Sequence, residues 1–183
     1  MKVSDLPLAG VRLIELDVHG DARGFFVERY SETGFASHGL PIRFFQDNHS
    51  RSAPGSLRGL HYQTNPPQGK LVGVIRGRIL DVIVDIRPKS PTYGSHVTEE
   101  LNAEDGRLVW IPPGFAHGFC VIGTEPADVL YKVDAPYERS SEGGLLWSDP
   151  DLAIKWPLDN PIVSERDRRL PLFAAYRQSP PNW

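Results

Sequence analysis

RILDVIVDIR, residues 78–87, sets Ile79, Leu80, Val82, Val84 and Ile86 against Asp81, Asp85 and Arg87 with a period of two. That period marks a β-strand, whose successive side chains point to opposite faces, here one apolar and one polar. Similar short runs lie on both sides of it. FFQDN (44–48), SLRGLHYQ (56–63) and KLVGVIRG (70–77) precede it, and HVTEEL (96–101), RLVWIP (107–112), GFAHGFCVIG (114–123) and DVLYKV (128–133) follow. Glycine or proline turns separate the runs, and so many short strands at such spacing predict an all-β, antiparallel jelly-roll barrel. Towards the N-terminus, VRLIELDV (11–18) reads as a strand closed by a turn at His19-Gly20-Asp21. DARGFFVERY (21–30) reads as a second strand, with Phe26 and Glu28 on one side and Phe25 and Val27 on the other. Helix is scarce: Ser31–His38, capped by Ser31 and ended by Gly39, and a turn starting near Ser164. With no repeat and no linker, residues 1–183 are expected to form a single domain. The tail after Leu170, with Pro171, Pro180 and Pro181, is expected on the surface or against a partner.

Composition narrows the function. The 23 acidic and 20 basic residues leave a formal net charge of −3, so no global basic field exists to hold nucleic acid. An anionic ligand must be met by locally placed arginine or lysine. Cys120 is the only cysteine, which excludes an internal disulfide and a Cys-rich zinc site. It lies in the apolar run Phe119–Ile122 and reads as a small core residue. The opening MKVSDLPLAG has no apolar signal-like core, and no run approaches the roughly 18 apolar residues of a membrane span. The expectation is a soluble, cytoplasmic protein without a membrane or nucleic-acid partner.

The chemistry concentrates in GSLRGLHYQTNPPQGK, residues 55–70. A histidine with an arginine three residues before it and a lysine a short loop later suits proton abstraction beside stabilised negative charge. Arg58, His61, Gln63 and Lys70 are all expensive to bury without partners, so together they imply a polar cavity. A regular strand would point Arg58 and His61 to opposite faces, and a bulge at Gly59 would bring both inward. Gly106 followed by Pro112-Pro113-Gly114-Phe115-Ala116-His117 resembles the second cupin motif. The place of the first motif holds His61-Tyr62-Gln63 with no glutamate before Lys70. Two histidines and a glutamine make a poor metal shell, and Lys70 would repel a cation, so no metal is expected.

Eight segments occur together in order. They are Asp21-Ala22-Arg23-Gly24-Phe25-Phe26-Val27-Glu28, Gln46-Asp47-Asn48-His49-Ser50, Leu57–Gln63, Gln68-Gly69-Lys70-Leu71-Val72, Ser90-Pro91-Thr92-Tyr93-Gly94, Trp110–Phe119, Tyr131-Lys132 and Ser164-Glu165-Arg166-Asp167. In these the chain resembles the dTDP-4-dehydrorhamnose 3,5-epimerases, enzymes with a cupin-like jelly roll and no cofactor. The resemblance implies His61 as general base, Asp167 as the carboxylate that orients it, Tyr131 as the acid on the opposite face and Lys70 as the cation at the developing enolate. It implies Arg23, Phe26, Glu28, Gln46, Asn48, Arg58, His117, Tyr137 and Glu142 as contacts of the dTDP-sugar substrate. It also implies a homodimer in which the N-terminal segment reaches a neighbouring subunit's site.

The residues alone leave other readings open. Asp167 suits a helix N-terminus, Tyr131 shares a strand face with Val129 and Val133 as a core tyrosine would, and Arg23 with Glu28 reads as a surface ion pair. Arg166 stands where lysine is frequent in such enzymes. Gly73 stands where arginine is common, which would remove a charge near the site. The function expected is inversion of carbons 3 and 5 of dTDP-4-dehydro-6-deoxy-D-glucose. A monofunctional 3- or 5-epimerase, a metal-dependent cupin and a non-catalytic nucleotide-sugar binder are the alternatives.

Overall fold

A computed structural model describes residues 1–183. The chain runs β1 (Lys2–Asp5), β2 (Arg12–Glu15), β3 (Val18–Asp21), β4 (Gly24–Val27), then helix α1 (Glu32–Ser37). Eight longer strands follow: β5 (Gln46–Ser52), β6 (Ser56–Gln63), β7 (Lys70–Arg76), β8 (Arg78–Asp85), β9 (His96–Asn102), β10 (Arg107–Ile111), β11 (Phe115–Ile122) and β12 (Ala127–Val133). Two short strands, β13 (Glu142–Gly144) and β14 (Ile162–Val163), and helix α2 (Phe173–Gln178) complete it, with 3₁₀ turns at Arg139–Ser141 and Asp167–Arg169.

Two sheets face each other as a jelly roll. One has the order β1-β2-β10-β7-β12-β5 and the other β13-β6-β11-β8-β9, with β14 parallel to β6. Between them lies the main core, to which β7, β10 and β12 contribute Val72, Val74, Val109, Ile111 and Val129. The opposite sheet contributes Ile79, Ile83, Leu101, Phe119 and Val121. Both sheets are also covered on their outer faces. Phe35 of α1 and Leu40 pack on Ile14, Leu71, Leu108 and Trp110. On the other side Leu145, Leu152, Phe173 and Tyr176 pack on Leu60, Val82, Val84 and Ile86.

That second covering changes the reading of β8. Its alternation is real, but the apolar set Val82, Val84 and Ile86 faces outward beneath the C-terminal segment. Asp81 and Asp85 alternate with them and are fully buried. Asp85 is matched by Arg87, Ser90 and Thr92, and Asp81 by His117. The tail after Leu170 is likewise no surface appendage, since α2 buries Phe173 and Tyr176. At the N-terminus the expected turn at His19–Asp21 is itself strand. Val18–Asp21 pairs with Gly24–Val27 to form a separate two-stranded hairpin, with the reversal at Ala22-Arg23. Ser31 caps α1 by accepting from the Gly34 N–H, as its sequence predicts. Cys120 is buried, with its thiol pushed up to about 11 by burial. No helix is long and apolar enough to cross a membrane.

Candidate active site

The strand β6 is where sequence makes the site. His61 is paired with His117 of β11, but Arg58 is paired with Phe119, so two residues of β6, Gly59 and Leu60, lie opposite the single Gly118 of β11. Gly59 sits at this bulge with φ of +119°, and a Cβ there would lie 2.6 Å from the Gly118 Cα. Only glycine fits that close approach in that conformation. The extra residue turns Arg58 and His61 to the same side, into a cavity of about 760 Å³ between the sheets.

His61 is fixed from the far end of the chain. Its Nε2 lies 2.8 Å from Asp167 Oδ1, and Asp167 Oδ2 accepts from the Gly59 N–H at 3.2 Å. The 3₁₀ turn that carries Asp167 is held by Ser164, whose Oγ accepts the Asp167 N–H. Burial pushes the Asp167 carboxyl up, but the bonds from His61 and Gly59 outweigh it and hold it below the usual carboxylate range. The tautomer that satisfies Asp167 carries its proton on Nε2, leaving the Nδ1 lone pair as acceptor. A second pair stands beside the first, with His117 Nε2 2.6 Å from Asp81 Oδ1. Asp81 Oδ2 is buried and has no protein partner.

The opposite wall comes from the other sheet. Tyr131 and Lys70, on β12 and β7, line the cavity with Gln46, Asn48 and Ser50 of β5. Tyr131 also packs against the main core, so the two readings of its position meet in one residue. Burial raises its pKa and keeps the phenol protonated. Lys70 makes no ion pair or side-chain hydrogen bond. Burial pushes its ammonium down to about 8, offset in part by Glu142, Asp134 and Asp81. Arg58 donates to Ser52 Oγ at 2.8 Å and to the Arg51 carbonyl at 3.2 Å.

At the mouth, Glu142 accepts from Arg166 at 2.6 Å and from the Tyr137 hydroxyl at 2.8 Å, and the Tyr137 N–H donates to Gln46 Oε1. Burial raises the Glu142 carboxyl, and the bonds from Arg166 and Tyr137 reverse this and lower it. Gln63 is spent on structure. Its amide spans the carbonyls of Pro66 and Pro136 and accepts from the Glu138 N–H.

The cavity thus brings together His61, Asp167, Tyr131, Lys70, Gln46, Asn48, Arg58, His117, Tyr137 and Glu142. Within one chain it does not include Arg23, Phe26 or Glu28, which lie on or just after the β3–β4 hairpin. Arg23 pairs with Asp21 and not with Glu28, and Phe26 is 68% exposed. Gly73 removes no charge from the cavity. It is in register with Leu108 and Leu130, on the face opposite Lys70 and Val72, and its missing Cβ makes room for the Arg29 guanidinium. Two residues of the site escape sequence reasoning. Ser52 holds Arg58 without any distinguishing motif. Asp81 carried a signal, an acidic residue alternating within an apolar strand, but that pattern equally describes a solvated face.

Comparison with known proteins agrees across the chain. The family model for dTDP-4-dehydrorhamnose 3,5-epimerase matches residues 5–175. A dTDP-4-dehydrorhamnose 3,5-epimerase of Pseudomonas aeruginosa is 50% identical over 176 residues, covering 95% of this chain and 97% of its own. The crystal structure of a dTDP-6-deoxy-D-glucose-3,5-epimerase from Legionella pneumophila, in complex with dTDP-4-keto-L-rhamnose, superposes with a TM-score of 0.93. It is 41% identical, and the match covers 100% of this chain and 98% of that one. A 3′-monoepimerase from Streptomyces bikiniensis in complex with dTDP-quinovose is also similar, with a TM-score of 0.89 and 32% identity over 94% of this chain and 88% of its own.

Proposed function

The chain belongs to the dTDP-4-dehydrorhamnose 3,5-epimerase family, and from that membership we propose that it inverts carbons 3 and 5 of dTDP-4-dehydro-6-deoxy-D-glucose. The observation that carries this reading is the division of the cavity. A histidine held by a buried carboxylate stands on one sheet, and a protonated tyrosine and an unpaired lysine stand on the other.

The substrate's ketone at carbon 4 acidifies the C–H bonds on both sides of it. In the gluco chair the hydroxyl on carbon 3 and the methyl group on carbon 5 are equatorial, so the hydrogens on these two carbons are both axial and on the same face. One base on that face reaches both. His61 Nδ1 takes the proton, the C–H electron pair becomes the enolate, and the new imidazolium is stabilised by Asp167. Either abstraction places negative charge on the same oxygen, where Lys70 answers it with help from Arg58. A well-placed donor of this kind contributes roughly 2.7 to 4 kcal/mol to the transition state. Tyr131 returns a proton from the opposite face, and the stereocentre inverts.

The nucleotide end is assigned to Gln46, Asn48, Arg58 and His117, with Tyr137 stacking on the thymine and Glu142 fixing Tyr137. Arg23, Phe26 and Glu28, on or just after the hairpin of a second copy, complete the site, so the working unit is a homodimer. We place the protein in the cytoplasm, without a cofactor.

The test is incubation with dTDP-4-dehydro-6-deoxy-D-glucose in heavy water, with deuterium entry followed by NMR. Label at carbons 3 and 5 with formation of the L-sugar is the expected result. Label at one carbon would make the protein a monofunctional relative. No label, with dTDP bound, would overturn the reading in favour of a binding protein.

A further inference from the structure

The match to the family model ends at residue 175, and the segment after it, 176–183, returns to the back of the strand that carries His61. Trp183 meets the ring of Tyr62 edge-on, with centroids 5.8 Å apart, and Tyr176 meets the same ring at 5.7 Å. Trp183 Nε1 donates to the Tyr176 hydroxyl at 2.9 Å, which in turn donates to the Ile86 carbonyl at 2.6 Å. On its other side Tyr62 lies over Gly143, its partner in β13, where a Cβ would come within 2.4 Å of the ring. The Tyr62 ring is therefore clamped between a glycine of the edge strand and two aromatic residues of the C-terminal segment.

Tyr62 sits between His61 and Gln63, and the strand here needs outside support. The bulge at Gly59 interrupts the ladder to β11, and the β13 edge is only three residues long. A lateral shift of Tyr62 would carry the His61 backbone with it and change the aim of Nδ1. We propose that Trp183 is a positioning residue for His61, acting through Tyr62 and touching no substrate. This inference rests on the epimerase reading above.

Deuterium entry at carbons 3 and 5, KM, dTDP affinity and the thermal midpoint would be measured for the wild-type protein, Trp183→Ala and Trp183→Phe. Geometry errors far from the reacting atoms are costly in rate, and Trp183→Ala is expected to lose about tenfold in exchange at saturating substrate. KM and dTDP affinity stay unchanged, and Trp183→Phe, which restores an aromatic edge, recovers most of the rate. Wild-type exchange in Trp183→Ala would overturn the proposal, as would a loss confined to KM and dTDP affinity, or a phenylalanine variant as slow as the alanine one. Should Trp183→Ala fail to fold, Tyr176→Phe removes the hydroxyl that anchors the indole and keeps the ring. It is expected to lose about two- to threefold, and an unchanged rate would overturn the proposal. A wild-type protein with no exchange would instead sink the epimerase reading itself.

Discussion

Each of three side chains makes its own prediction. Replacing His61 by asparagine removes the proposed base and leaves the cavity. Exchange at both carbons is expected to fall by about 10²- to 10⁴-fold while dTDP still binds, as isotope entry and a binding titration would show. Tyr131→Phe removes only the hydroxyl proposed to return the proton. It should spare deuterium exchange more than net inversion, and full inversion by this variant would dismiss Tyr131 as the acid. Lys70 has a folded-state pKa of about 8, below its ordinary 10.5. In the free enzyme kcat/KM should therefore fall as pH rises through about 8, where the ammonium proposed to meet the enolate is lost. Stability runs the other way. Below about pH 8 the buried ammonium carries its full desolvation cost, and the cost fades towards pH 10.5, where the unfolded lysine also loses its proton. Lys70→Met should therefore raise the urea midpoint at pH 7 and do so less at pH 10, while lowering the rate roughly 10²- to 10³-fold.

Among the elements, β6 shows how a local irregularity makes a site. Gly59→Ala would set a methyl group against Gly118 at a backbone angle that alanine rarely adopts. The variant should lose about 1 to 3 kcal/mol in denaturant unfolding and nearly all exchange activity. The order of the long strands, and the extent of all but β5, were legible in the sequence because alternation and glycine turns are local signals, and the Gly59 bulge was legible because Arg58 and His61 had to share a side. β5 runs Gln46–Ser52, past the Phe44–Asn48 run that marked it, because its polar second half carries no apolar alternation. The faces of β8 were not legible. Alternation separates two sets of side chains and carries no information on what covers each, and the cover over Val82, Val84 and Ile86 comes from residues about sixty or more positions later in the chain. The same non-locality hid the role of α2, since the prolines on either side of it suggested a tail on the surface or against a partner. It also hid Asp81, since a buried partner for His117 looks like a solvated aspartate until β8 and β11 are side by side.

On the scale of the whole molecule the β3–β4 hairpin stands out, because two adjacent phenylalanines project from it, Phe25 60% exposed beside Phe26. Apolar side chains projecting this far fit a partner surface. If the hairpin completes the neighbouring site, mixing His61→Asn with Arg23→Ala separates the two defects in a useful way. Each heterodimer then holds one doubly damaged site and one intact site, so random reassortment of two inactive parents should restore about a quarter of wild-type activity. No recovery on mixing would mean that each chain builds its own site. Cys120 bears on how such an arrangement can be watched. The chain's only thiol is sealed in the interior and pushed up to about 11, so the native surface offers no thiol to maleimide reagents. A cysteine placed at Phe25 would thus be the single address for a spin label or dye, and the motion of the hairpin could be recorded without a background signal.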